Sequence, residues 1–337
     1  LFERVKRFIE DYNAEVDRYR RAGRPEDVDS FVRYDRIKWS GTLKQNLVRG
    51  VSGEFHSTAV RVAAYRPFTR MWLYFDRLLN ERVYRNYEIF PSHEIVNTAV
   101  WIKTGADWPV FGLATASLVD VLPQGGSQCF PFYTYAPDGT NRKENVTDET
   151  LKRFREAYGD DRITKWDIFH YIYAVLHHPG YREKFAENLK RELPRIPFAP
   201  DFHTFAPAGK ELARLHVEYE SLEPWPLEFI CAPDQPLSYE VCDKMRLSKD
   251  KTSLQVNSSL TLAGIPPEVY EYRLGNRSAL EWVVDQYQVS EDPRSGTRSD
   301  PNRKDDPEYI VRLAGQVVRV SLETVRLVRS LPTQYSR

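Results

Sequence analysis

From Val60 to Tyr135 the apolar residues come in short β-branched and aromatic runs, and a turn-forming residue breaks each run before it reaches helical length. Val60-Arg61-Val62, Met71 to Phe75, Val96 to Ile102, Phe111 to Val119 and Gln128 to Tyr135 are separated by Pro67, Asn80, Pro91, Gly105, Pro109 and Pro123-Gln124-Gly125-Gly126. Strands fit this pattern and helices do not. Beyond Thr147 the apolar spacing becomes helical, so the chain is expected to be α+β, with a mixed or antiparallel sheet region, a helical subdomain and a long C-terminal helix.

The helical stretches carry their own start and stop signals. Val5 to Arg20 places Val5, Phe8, Ile9, Tyr12, Val16 and Tyr19 at helical spacing and ends at Gly23-Arg24-Pro25. Thr147-Asp148-Glu149 opens a helix through Tyr158, and Thr164 with Asp167 has the capping-box spacing ahead of Ile168 to Leu176. His177-His178-Pro179-Gly180 stops that helix. A third is expected over Tyr181 to Leu193, then an extended linker from Pro194 to Pro200, then a helix over Gly209 to Leu222. Residues 226–274 return to strand-like runs at Lys244 to Leu247, Ser253 to Leu262 and Val269 to Leu274. Ser278 and Glu281 form a second capping box, opening a helix to Tyr287. After a polar loop from Ser290 to Asp305, Asp306-Pro307-Glu308 caps a last helix with Ile310, Leu313, Val317, Val320, Thr324 and Leu327 on one face. The expected divisions are 1–30, 31–145, 146–225 and 226–337.

Composition narrows the class. No run approaches the roughly 20 apolar residues of a membrane helix, and Leu1-Phe2-Glu3-Arg4-Val5-Lys6 lacks the apolar core of a signal peptide, so a cytoplasmic protein without membrane contact is expected. Leu1 is not an initiator methionine, and the chain reads as part of something longer. Cys129, Cys231 and Cys242 are odd in number and widely spaced, which suits a reducing compartment better than a disulfide framework or a Cys-rich zinc site. The 48 basic and 48 acidic side chains cancel overall but not locally. Residues 31–90 carry eleven Arg or Lys against five Asp or Glu, a net of +6, whereas residues 201–245 carry three against nine, a net of −6. Neutrality therefore does not exclude a phosphate-bearing partner.

Catalytic signatures are missing. The chain has no G-x-x-x-x-G-K-[ST] loop, no Gly-x-Gly turn after a strand and no G-x-S-x-G elbow. Ile265-Pro266-Pro267-Glu268 is not the Asn/Asp-Pro-Pro-aromatic motif of amino-methyltransferases. Pro233-Asp234 followed by Asp243-Lys244 lacks the Asp/Glu-x-Lys spacing a metal-dependent nuclease uses. Asp167, His170 and His177 share a helix side that could ligate metal. Their placement at helix ends explains them better, with Asp167 in a first turn and His177 and His178 near last carbonyls. No catalytic and no metal-binding residue is assigned.

What remains is the basic, aromatic first third. Phe31 to Ser40 (FVRYDRIKWS) is followed by Lys44, Gln45, Asn46 and Arg49, and Tyr65 to Arg70 (YRPFTR) by Arg82, Tyr84, Arg85 and Asn86. Arg and Lys clamp phosphates, while Arg, Asn and Gln read base edges through paired hydrogen bonds. Each residue alone fits a solvated face over an aromatic core. As a cluster in a chain without catalytic motifs, they favour binding over catalysis.

Four strings then carry a family likeness: Tyr65-Arg66-Pro67-Phe68, Thr115 to Tyr135 (TASLVDVLPQGGSQCFPFYTY), Ile168 to Phe198 (IFHYIYAVLHHPGYREKFAENLKRELPRIPF) and Gly275 to Val289 (GNRSALEWVVDQYQV). Together they resemble the C-terminal specificity region of single-polypeptide Type I-like (Type ISP) restriction–modification enzymes, from about Phe31 to Pro332. Residues 1–30 resemble the helical connector that follows the methyltransferase domain in that family. The resemblance implies a target recognition domain that selects double-stranded DNA for adenine-N6 methylation and ATP-dependent cleavage by upstream domains. S-adenosylmethionine, ATP and Mg²⁺ would serve those domains, with no cofactor in this one, and the upstream methyltransferase domain would be its partner within the chain. Residues 31–135, and 244–262, are expected to face the duplex, mainly in the major groove. Arg33, Lys38, Lys44, Arg66, Arg70, Arg85 and Asn86 are the candidate phosphate or base-edge contacts. The rival reading is a coupling domain that holds methyltransferase and motor together without touching bases.

Overall fold

The computed structural model of the protein describes residues 1–103, 109–120, 126–291 and 298–336. The backbone gathers into two compact units. One comprises Leu1–Ala63, Met71–Asn97 and Tyr133–Lys143, the other Ala64–Arg70, Thr98–Phe132 and Glu144–Arg337. The turn signals at Gly105 and Pro123-Gln124-Gly125 lie outside the described residues.

In the first unit the expected N-terminal helix runs Phe2–Arg21 and buries Ile9, Tyr12, Val16 and Tyr19. That stripe meets Leu43 and Leu47 of the helix Gly41–Arg49, with Val32, Ile37 and Trp39 filling the space between. Ser40 caps the second helix by accepting from the Leu43 amide, and Gly50 ends it at φ 69°, a left-handed turn that glycine adopts without steric cost. Tyr12 Oη donates to the Val51 carbonyl at 3.0 Å, and Asn13 bonds Gly53 in both directions at 2.9 and 2.8 Å, tying the chain after the helix back onto its start. Farther along, Phe75 stacks on Tyr87 with centroids 4.6 Å apart. The buried Asn97 amide donates to the carbonyls of Ile89 and Tyr133 and accepts from the Tyr133 amide.

The second unit holds two larger antiparallel sheets and the expected helices. Ala99–Lys103 is the middle strand between Phe111–Thr115 and Ser127–Pro131. Trp101 is fully buried there, and its indole N–H donates to Ser127 Oγ at 3.0 Å. Helices Lys165–His177 and Phe202–Val217 pack on each other and on the strand Phe111–Thr115. The second sheet runs in the order Arg246–Leu247, Ser253–Gln255, Leu260–Ala263, Glu228–Cys231. Its inner leucines join the helices Ala279–Gln286 and Tyr309–Ser330 in one large apolar core. Both capping boxes are present, Thr164 with Asp167 and Ser278 with Glu281. Among the described residues no helix is long and apolar enough to cross a membrane.

Several boundaries differ from expectation. Tyr181–Leu193 is not one helix: Pro179–Lys184 and Ala186–Leu189 are separated at Phe185. Pro179 ends the preceding helix and is also the first residue of the next, where its missing N–H costs nothing. The helix expected from Gly209 begins at Phe202, because Asp201 caps it by accepting from Thr204. Val269 lies in a 3₁₀ turn, Pro267–Glu271, and the strand is confined to Arg273–Leu274. The polar loop after Ser290 includes a short antiparallel pairing of Ser290–Glu291 with Arg298–Ser299.

Candidate nucleic-acid interface

The seven residues singled out from the sequence divide between the units. Arg33, Lys38, Lys44, Arg85 and Asn86 belong to the first, Arg66 and Arg70 to the second. Within the first unit, Arg33 and Lys38 flank a loop between the helices Val28–Phe31 and Gly41–Arg49. Ile37 and Trp39 anchor this loop in the core, and Trp39 donates its indole N–H to the Arg33 carbonyl at 2.7 Å. The alternation leaves Arg33, Tyr34, Arg36 and Lys38 exposed on a rigid base. Arg36 reaches Asp11 at 3.3 Å, and no ion pair holds Arg33 or Lys38 among the described residues.

Lys44 is committed locally. Its ammonium donates to Asp29 and lies 5.6 Å from the Tyr34 ring centroid. The hydrogen bond to Asp29 pushes its pKa up to about 12, so it stays cationic at neutral pH. Arg85 is open to solvent but pairs with Glu88 one turn on, at 2.5 Å; this bond raises the guanidinium pKa and lowers that of the carboxyl. Such an exposed pair yields readily to a phosphate, since surface pairs contribute about 0–1 kcal/mol. Nearby, Arg82 and Tyr84 adopt left-handed backbone angles of 56° and 45° and are both exposed.

Arg66 and Arg70 are engaged by internal partners, and Asn86 is buried. Arg66 donates to Asp120 and stacks its guanidinium 3.9 Å from the Tyr65 ring centroid. Arg70 donates to Glu220 at 3.0 Å and to the Val217 carbonyl at 2.5 Å, over the Tyr219 ring. Between them Phe68, at φ 54°, drives its buried ring edge-on against Tyr219 at 5.2 Å. The Tyr65-to-Arg70 string is thus held by partners far along the chain. Asn86 is buried at the start of the short helix Asn86–Ile89.

The aromatic residues of the basic stretch divide as well. Trp39, Phe68 and Phe75 are core, while Tyr34, Trp72 and Tyr84 are more than half exposed. The sequence carried no signal that separates the two sets.

His170, with His177 a candidate metal ligand in the sequence, stacks on Trp166 with centroids 5.4 Å apart, and the two histidines at the helix end are held by backbone groups. His177 Nδ1 donates to the Tyr173 carbonyl of its own helix at 2.8 Å. His178, rather than bonding the last carbonyls of that helix, accepts from the Tyr181 amide as the next cap and donates through Nε2 to the Pro332 carbonyl. Among the described residues no group of three His, Cys, Asp or Glu side chains is placed to hold a metal ion.

Comparison with known proteins gives a concordant picture. Residues 1–313 match the family model of the Type ISP C-terminal specificity domain. Three solved structures are similar over nearly the whole chain. A nuclease-deletion mutant of the Type ISP restriction-modification enzyme LlaGI, in complex with a DNA substrate mimic, is 34% identical with a TM-score of 0.85, over 99% of this chain and 31% of its own. A DrdV–DNA complex is 34% identical with a TM-score of 0.85, over 98% and 34%. The ATP-dependent Type ISP restriction-modification enzyme LlaBIII bound to DNA is 28% identical with a TM-score of 0.87, over 99% and 22%. The chain therefore spans about a third of the first two proteins and about a fifth of the last. No curated protein matches it.

Proposed function

Since the chain belongs to the Type ISP C-terminal specificity domain family, we propose that it is the target recognition domain of a restriction–modification enzyme and binds double-stranded DNA in a sequence-selective manner. The observation that carries this reading is its likeness, over 98–99% of its length, to enzymes solved with DNA. Adenine-N6 methylation and ATP-dependent cleavage would reside in other parts of the parent chain, together with S-adenosylmethionine, ATP and Mg²⁺. The methyltransferase domain of that chain would present the base that this domain selects.

Arg33, Lys38 and Arg85 are the best placed of the candidates to meet phosphate or base edges, being exposed and either unpaired or weakly paired. Arg33 and Lys38 stand on a loop fixed by Ile37 and Trp39, so ordering them on DNA costs less side-chain and backbone entropy than a mobile loop would. Lys44 would act as a supporting charge. Arg66, Arg70 and Asn86 would hold the scaffold from which loops project.

The test uses the full polypeptide. Mapping methylated adenines in DNA exposed to it gives a target, and binding is then measured at rising salt on duplexes with that target and with its bases scrambled. Tighter binding to the target that persists as salt rises supports recognition. Equal affinity for both duplexes at every salt concentration leaves the coupling role instead.

A further inference from the structure

Among the described residues, the four-stranded sheet ends at an uncovered edge. Glu228–Cys231 is its last strand, and all four residues are exposed. Phe229 lies opposite Leu262, and Cys231 opposite Leu260. Residues directly opposite in an antiparallel pair point to the same face, and both leucines are buried in the main core. Phe229 nevertheless stays 47% exposed, touched by Tyr239 at a centroid distance of 6.4 Å. Cover over the core thus stops one strand short of the sheet's edge. On the opposite face Ile230 is 50% exposed, and Leu237 on the following loop is 46% exposed.

The backbone is open too. The Ala232 amide donates to the Ser259 carbonyl at 3.0 Å. With the register of the pair, this makes Glu228 and Ile230 the residues that bond across to the neighbouring strand. The N–H and C=O groups of Phe229 and Cys231 then point away from the sheet. An apolar edge with free backbone groups is the kind that native proteins cover or blunt, and no lysine, proline or bulge blunts this one. Its surroundings are acidic. Glu228, Asp234 and Glu240 have no ion-pair partner among the described residues, and the enclosing segment 201–245 carries the net charge of −6. Such a surface repels DNA and favours a basic protein segment.

We propose that this edge is the docking surface for an extended segment of the parent polypeptide outside this domain. The segment would add a strand beside Glu228–Cys231 by backbone hydrogen bonds. It would place apolar side chains over Phe229 and Cys231 and set Lys or Arg residues against Glu228, Asp234 and Glu240. This rests on the reading that the domain is one part of a longer restriction–modification chain, consistent with its 22–34% share of the similar structures. The acidic and basic segments would then serve different partners, the basic one DNA and the acidic one the rest of the same enzyme.

Cys231 makes the edge readable by thiol chemistry. In the native full polypeptide without DNA, a neutral maleimide should modify Cys231 at least about ten-fold more slowly than it modifies a free cysteine peptide. Ile230→Lys, which sets a positive charge beside the basic segment and blunts the edge, should restore fast labelling at Cys231 while circular dichroism and the unfolding midpoint stay those of a folded protein. Labelling of Cys231 within ten-fold of the free peptide overturns the proposal. Protection that disappears when the protein is diluted from dimer to monomer overturns it as well, since a second copy would then be the cover. Loss of target-selective DNA binding in the same preparation would count against the recognition reading alone, because the labelling is done without DNA.

Discussion

Gly209 passes so close to His170 that a Cβ built on it would stand 1.8 Å from the His170 carbonyl oxygen. The contact lies where the helices Lys165–His177 and Phe202–Val217 cross. Both helices also rest on the strand Phe111–Thr115, so a forced separation would disturb the sheet beneath. Gly209→Ala is expected to destabilise the protein by about 3 kcal/mol or more, the upper range for overpacking against backbone. Urea unfolding of the variant reads this directly. A midpoint equal to that of the parent would show that the two helices part without cost.

Ser278 is fully buried and accepts from the Glu281 amide at 3.2 Å, while Glu281 accepts from the Ser278 amide at 2.8 Å. Ser278→Ala removes the cap and leaves a helix amide without its partner. The expected loss is about 1 kcal/mol, up to about 2. Glu281 is also held by Lys251 at 2.8 Å, so Lys251→Ala should cost less than Ser278→Ala. Chemical denaturation of both variants ranks them, and the reverse order would assign the stability to the ion pair.

Local signals survived the passage from sequence to structure best. Both capping boxes and the strand runs between Val60 and Pro131 depend on residues within a few positions of one another, and they appear where their spacing places them. The helix Phe202–Val217 begins ahead of the Gly209 start expected from the sequence and carries Pro207 in its interior. Pro207 does forgo one helical hydrogen bond, yet Asp201 supplies a start, and Gly209 is there for the close approach to His170. The family was legible from ordered strings that include buried residues such as Phe68, Phe132 and Trp282, which mark the scaffold. The contact residues were not. Arg70 differs from Arg33 through Glu220, 150 residues away, and no local pattern encodes that pairing.

Three histidines of the second unit resist protonation. Burial holds His177 down to about 3 and His170 down to about 4, and it puts His216 well below its ordinary 6.5. In the unfolded chain each takes up a proton near pH 6.5, whereas the folded protein binds none until the pH is far lower. Stability is therefore complete above about pH 6.5 and falls as pH drops, by about 1.4 kcal/mol per unit for each histidine. His216 is locked by Tyr173 Oη at 2.5 Å and Thr324 Oγ1 at 2.9 Å, so the second unit should carry much of this acid limb. Urea midpoints between pH 7 and pH 5 check it, with His177→Gln expected to reduce the slope by one proton's worth. An unchanged slope in that variant would mean that His177 titrates alike in the folded and unfolded chain.

Arg33 and Arg70 provide the sharpest contrast for the proposed interface. Arg33 is exposed with no ion pair among the described residues, whereas Arg70 sits at 21% side-chain exposure between Glu220 and the Val217 carbonyl. If Arg33, Lys38 and Arg85 each meet a phosphate, each alanine substitution should weaken binding to target and scrambled duplexes alike and lower the salt slope by about 1. If one of them reads a base instead, its variant should lose about 1–3 kcal/mol on the target alone and relax one position. Arg70→Ala should leave the salt slope as it is and instead lower the unfolding free energy by about 1–3 kcal/mol, because it removes the cation from the partly buried Glu220 carboxylate and a donor from the Val217 carbonyl. Fluorescence anisotropy at several salt concentrations, paired with urea unfolding of the same variants, separates the two classes. A salt slope unmoved by all three exposed substitutions would place the duplex on another face of the protein.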